Sequence, residues 1–423
     1  MTVRHRVLAL LALAVGVFGA WRALRPAQEV PLPTTANEAE ERMQDFRDAL
    51  YFPIREFLDG GNPYHPAAMF AQWPVRQDFN LYQPYHLALH LPFALPGYRV
   101  GAVAFAVVSL LLLVALAYLT AVRLRPYVPM VVGTAVPAAL LVSSQVGKAQ
   151  LYVGQVNPLV AVGAAGALLV RESHPRWASA ALAFAWLKPQ FGLPLTILLC
   201  CRGSRKVAGY GTLAAAVASL PVLVLLVVNA GGVGPFAETI VANLVHARGT
   251  SYGAVDSVTA QRIDLPAVLF RATGFLLPGG ELLALVGVLA VSAVLVRRLD
   301  RLGDPDAGAV ADLLVGLAVV VCVVHQPGDI LIAVPALALT AVVWWRRRRE
   351  PGWGLLGVAV VASIVPFAHL HVFDVALVAV FGERAAVTVD GLAVVCAWLA
   401  LAVFGLRLHR RAREKAAPHE VAA

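Results

Sequence analysis

The stretch RWASAALAFAWLKPQFGLPLTILLCCRGSRK, Arg176 to Lys206, decides how the chain is threaded. Most of it is apolar, yet it opens on Arg176 and closes on Arg202, Arg205 and Lys206. Basic flanks of an apolar segment stay on the cytoplasmic side of a membrane, and one crossing cannot leave both flanks there. Lys188-Pro189 in the middle offers a way out. Proline interrupts the helical ladder, and a lysine at membrane depth is costly unless it faces protein or water. The spacing predicts two short helices, 177–187 and 189–200, folded back as a hairpin with Lys188 at the tip. About 11 residues at ~1.5 Å rise reach only ~16 Å. The tip therefore stops inside the membrane, where irregular backbone is tolerated only around a protein-lined cavity.

The rest of the chain supplies the membrane context. Of 423 residues, 59% are hydrophobic and 14% charged, with a mean hydropathy of +0.74; soluble domains carry roughly 25% charged residues. Apolar blocks of about 20 residues match a helix crossing ~30 Å of hydrocarbon, and the alternation of a membrane barrel is missing. The predicted spans are 7–24, 99–122, 127–147, 157–170, 207–229, 281–298, 308–325, 329–345, 354–371 and 387–406, with 265–280 unassigned. The segment 7–24 is read as a retained span, because Trp21, Arg22, Arg25 and Pro26 follow it instead of a small-residue cleavage site.

The net charge of +9 sits in clusters at the ends of these blocks, such as Arg346 to Arg349 and the run from Arg407 to Lys415. Such clusters orient helices and do not form a nucleic-acid face, so no nucleic-acid partner is expected. Cys200, Cys201, Cys322 and Cys396 lack metal or redox spacing and are expected to be small core residues. The fold expected is an all-α polytopic membrane protein of about 12 membrane helices, half-helices included. A single domain, 1–410, would carry a long first extracytoplasmic loop, 25–98, and a basic cytoplasmic tail, 411–423, with both termini cytoplasmic.

Threaded this way, the polar residues that lipid would reject gather at the outer ends of spans. They are Gln155 and Asn157 in GQVNP, Lys188 at the hairpin tip, and His325-Gln326. The outer loop adds Asp45, Arg47, Asp48, Arg55 and Asp59. Carboxylates able to take a proton thus share a membrane side with cations able to hold a phosphate. The chain has no glycine-rich phosphate loop, zinc signature or nucleophile elbow, so neither cofactor nor metal is expected. Each residue also has a plainer reading. Gln155 and Asn157 can simply join helices by hydrogen bonds, and His325, His369 and His371 can cap helix ends. Asp59 and Asp78 read as solvated turn residues.

Several motifs together resemble one family. Asp45-Phe-Arg-Asp48-Ala-Leu-Tyr51-Phe, with Leu58-Asp-Gly-Gly-Asn62-Pro63-Tyr64 after it, resembles the first outer loop of glycosyltransferase family 87, a group of GT-C-class membrane enzymes. Tyr82-Gln-Pro84, Gly154-Gln155-Val156-Asn157, Lys188-Pro189-Gln190 and His325 resemble later elements of that family in the same order. The resemblance implies an inverting hexosyltransferase, mannosyl by preference, of the plasma membrane. Its donor would be a polyprenyl-phosphate sugar and its acceptor an extracytoplasmic glycolipid or glycan. It implies a catalytic aspartate at Asp45 or Asp48, which stand 19 and 16 residues before Tyr64. Lys188 and His325 would hold the donor phosphate, and Tyr51, Tyr64, Gln155, Asn157 and Gln190 would contact substrate. A transporter or flippase of lipid-linked sugars is the rival reading; it would use the same cavity without a base.

Overall fold

The computed structural model describes residues 2–257, 261–369 and 372–416. His371 and the end of the expected tail, 417–423, lie outside them. Every regular element among the described residues is helical. After α1 (Val3–Glu29), the long loop carries the short helices α2 (Phe52–Leu58), α3 (Pro66–Gln72), α4 (Tyr85–Leu89) and α5 (Leu91–Ala94). There follow α6 (Tyr98–Leu124), α7 (Met130–Ser143), α8 (Gln145–Val153), α9 (Asn157–Val170), α10 (Pro175–Ala185) and α11 (Pro189–Cys201). Next come α12 (Arg205–Asn229), α13 (Val233–Gly249), α14 (Leu265–Thr273), α15 (Gly280–Asp300) and α16 (Pro305–Cys322). A 3-10 turn, Pro327–Ala333, leads into α17 (Val334–Arg347), and α18 (Gly354–Ala368), α19 (Val372–Phe381), α20 (Glu383–Ala386) and α21 (Val389–Ala416) complete the chain.

By length and apolarity, seven helices among the described residues qualify as membrane spans, or up to nine if the bent pairs α7–α8 and α18–α19 are each one span. The dozen expected included half-helices, and the short α9, α10 and α11 are not counted among these spans. The protein is a polytopic helical membrane protein. Its core rod is α16, buried from Asp306 to Cys322 except at Gly308. The outer helices α1, α12 and α15 expose Leu10, Leu220 and Leu282, as lipid-facing surfaces do. Cys322 is buried, but Cys200 and Cys396 are exposed, which corrects the expectation that all four cysteines are core residues. In a membrane helix the outward face is as apolar as the inward one, so an apolar neighbourhood in sequence does not imply burial.

Helix ends fall on two faces. On one, three arginines converge on Asp312 of α16: Arg123 of α6 at 2.6 Å, Arg171 after α9 at 3.4 Å, and Arg202 after α11 at 2.5 Å. Arg171 precedes α10 and Arg202 follows α11, so both ends of this helix pair return to the same carboxylate. The pair is a hairpin with Lys188 at its far tip. Arg347 reaches Asp306 at 2.6 Å, and Arg411 donates to the Pro351 carbonyl at 2.8 Å, which places the ends of α17 and α21 on this basic face.

The opposite face holds the α1–α6 loop. Asn243 of α13 donates to the Asn80 carbonyl at 2.7 Å and accepts the Asn80 amide at 3.3 Å. The unassigned segment after residue 264 forms α14, whose Arg271 donates to the carbonyls of Arg262 and Ser257 at 2.7 Å each. His369 does cap α18, and it also bridges Asp374 and Asp390 at 2.9 Å each.

Candidate active site

Backbone geometry places Asp45. Met43 adopts φ 56°, uncommon for a residue other than glycine, and donates its N–H to the Tyr152 carbonyl at 2.7 Å. Gly154 has φ 74°, and a Cβ there would lie 2.7 Å from Phe46 Cβ and 2.9 Å from Met43 Cε. The α8–α9 turn and the loop are therefore locked together at the residues flanking Asp45. Phe46–Tyr51 then forms a π-helical turn, a wider coil that often appears at functional sites.

Within this short span the two acids meet different surroundings. Asp48 is fully buried beside Arg47. Its Oδ1 accepts Arg47 Nε at 2.6 Å; its Oδ2 accepts Arg47 Nη2 at 3.2 Å and the backbone N–H groups of Arg76 and Gln77 at 3.2 and 3.0 Å. Its acceptor capacity is spent on the fold. Asp45 is only half-buried, among Lys188, Asp329 and Gln155. Burial pushes its carboxyl up to about 6; Lys188 and a hydrogen bond from Gln155 pull it down, while Asp48 and Asp329 push it up.

Lys188 is buried as the N-cap residue of α11, with Nζ 5.5 Å from the centre of the Tyr82 ring. The preceding carbonyl, Leu187, accepts the Gln83 N–H at 3.1 Å, so the hairpin tip is stitched to the Tyr82-Gln83-Pro84 segment. The Tyr64 hydroxyl supports that segment from behind by donating to the Tyr82 carbonyl at 2.8 Å.

A third group closes the site. Asn157, on the first turn of α9, donates to Asp329 at 2.7 Å and also to the side chain of Gln155. Gln155 donates to Gln326 at 3.3 Å, and Asp329 accepts the Gln326 N–H at 2.9 Å. The His325 ring packs edge-on against Phe191, centroids 4.5 Å apart. Its Nδ1 lies 2.8 Å from the Val323 carbonyl, an acceptor only, which assigns the proton to Nδ1. Burial lowers the pKa of the ring, opposed by Asp329, so the neutral ring presents a lone pair at Nε2. Among the described residues that atom is buried without a partner, and so is Asn157 Oδ1. Buried polar atoms are nearly always paired, yet both acceptors keep unused hydrogen-bonding capacity in this structure.

A sequence profile described as Glycosyltransferase family 87 matches residues 80–325, well over half of the chain. The chain belongs to glycosyltransferase family 87. No curated protein and no solved structure gave a match. The matched region begins two residues before Tyr82, contains Gln155, Asn157 and Lys188, and ends on His325; Asp45 and Asp48 precede it.

In this glycosyltransferase the structure brings Asp45, Lys188, Gln155, Asn157 and His325 together, but not every candidate joins them. Tyr51 lies in an aromatic cluster with Phe46, Phe52 and Tyr98. Tyr64 acts on Tyr82 through its backbone, and Gln190 is half-buried on α11 without a hydrogen bond among the described residues. Sequence reasoning passed over Asp329, which accepts a hydrogen bond from Asn157 and whose charge acts on Asp45 together with that of Lys188. Its signal was available: Gln326-Pro327-Gly328-Asp329 has the spacing of a capping box, which fixes the carboxylate at a helix start.

Proposed function

We propose that this membrane glycosyltransferase moves a hexose, mannose by the family resemblance, from a polyprenyl-phosphate carrier to a hydroxyl of a glycolipid or glycan on the extracytoplasmic side of the plasma membrane. The acceptor oxygen attacks the sugar C1 while Asp45 takes its proton. The bond from C1 to the phosphate oxygen breaks with inversion, and the polyprenyl phosphate leaves with the electron pair. Lys188 meets the charge growing on that phosphate, a charge-assisted contact that strengthens in the transition state. In the ligand-free ring His325 is an acceptor for a sugar hydroxyl, as is Asn157 Oδ1. A phosphate drawn close would favour the doubly protonated ring and make His325 a second phosphate ligand.

The observation that carries this reading is the contrast between the acids. Asp45 is partly accessible and feels the buried Lys188 ammonium, an arrangement suited to a phosphorylated sugar, whereas the Asp48 carboxylate already accepts four hydrogen bonds. The test is transfer from labelled polyprenyl-phosphate mannose by purified protein. Asp45→Asn is expected to lose about 10²–10⁴-fold in rate with unchanged thermal unfolding. Asp48→Asn is expected instead to lower stability, by roughly 3–5 kcal/mol for a broken buried pair. Full activity in Asp45→Asn would refute the base assignment. Wild-type protein that transfers to no acceptor yet carries lipid-linked sugar across vesicles would favour the transporter reading.

A further inference from the structure

On the basic face, remote from the sugar site, two recesses meet at Arg205. The first, a cavity of about 470 Å³, is lined by the α11–α12 turn and the end of α15, including Cys200, Arg205, Arg297 and Arg301. Asp300, the acid at its wall, is already occupied: Arg202 holds it through two bonds of 2.8 and 2.7 Å. The side chains of Arg205, Arg297 and Arg301 make no ion pair or hydrogen bond among the described residues, so three cations converge on the recess without a counter-charge. The second, an open depression of about 350 Å³ on α12 alone, is lined by Arg205, Lys206, Gly209, Tyr210 and Leu213. Tyr210 and Leu213 are exposed, and a Cβ on Gly209 would meet nothing within 4 Å, so this floor is apolar and open.

We infer that the two recesses together bind one anionic glycerophospholipid, its phosphate among Arg205, Arg297 and Arg301 and an acyl chain along the Gly209–Leu213 groove. Basic flanks that only orient a helix lie spread along the headgroup layer. Here cations from segments about 90 residues apart in sequence are gathered at one concavity, and basic recesses between membrane helices are where anionic headgroups bind. An apolar groove opening directly from the cationic recess favours a lipid over a soluble phosphate. The inference does not depend on the reaction proposed above, because none of these residues belongs to that site.

The experiment is native mass spectrometry of the full chain released from nanodiscs containing equal phosphatidylglycerol and phosphatidylcholine. Wild-type protein should retain phosphatidylglycerol at least tenfold more often than phosphatidylcholine. The triple substitution Arg205→Gln, Arg297→Gln, Arg301→Gln should abolish that preference. Gly209→Leu, which keeps every charge and fills the groove, should reduce retention severalfold, with thermal unfolding in pure phosphatidylcholine unchanged. Equal retention of both lipids by the wild type would overturn the proposal. So would a preference that survives both variants, or displacement of the lipid by millimolar glycerol phosphate, which would assign the cations to a soluble anion.

Discussion

At the residue scale, Asp45 is governed by opposing fields. Burial and the neighbouring carboxylates Asp48 and Asp329 raise its pKa, to about 6, while Lys188 and Gln155 lower it. A base must be deprotonated to act, so kcat/KM is expected to fall about tenfold per pH unit below that value. Asp329→Asn removes a like charge and should move this acidic limb to lower pH; Lys188→Met removes the cation and should move it higher. Rate–pH profiles of the three proteins check both directions, and a limb that does not respond to Asp329→Asn would disconnect the acid from the profile. In sequence Asp45 and Asp48 are nearly equivalent candidates. The π-helical turn and the Arg76 and Gln77 amides separate them, and those amides lie almost 30 residues away in the chain.

At the element scale, the α10–α11 hairpin is the feature that brings Lys188 to the candidate site. Its two arms return to Asp312, and its tip carries Lys188 to Asp45 and Tyr82. Asp312→Asn would leave Arg123, Arg171 and Arg202 facing one another without their shared counter-charge. Breaking a buried ion pair costs roughly 3–5 kcal/mol, so a clear drop in thermal stability is expected. The rate per folded molecule should change little, because arms of about 11 residues keep the cluster ~16 Å from the tip. A variant as stable as wild type would show that the cluster does not hold the hairpin. The hairpin itself was legible from the charges on both flanks of an apolar run. Asp312 was not, since a lone acid inside an apolar span does not reveal which cations it will meet.

At the scale of the whole molecule, the two faces carry different chemistry: the candidate site on one, an arginine-rich surface on the other. The orientation proposed places the site outside the cell. With Cys200 and Cys201 replaced, single cysteines near residue 60 and residue 204 are expected to react with an impermeant thiol reagent from opposite sides of the membrane; same-side labelling would contradict the arrangement. What the amino-acid sequence determined by itself was the environment: a helical membrane bundle, a broken segment with its lysine at the break, and polar residues gathered at span ends. Hydropathy, proline and basic flanks are read along the chain and report where each segment meets lipid or water. Tertiary structure alone decided which acid keeps some access, that Asp329 lies with Asn157 near Asp45, that His325 and Asn157 keep unpaired acceptors among the described residues, and that three arginines line one recess. Those properties arise between segments distant in the chain, where hydrogen-bond geometry and burial are settled only once the helices pack.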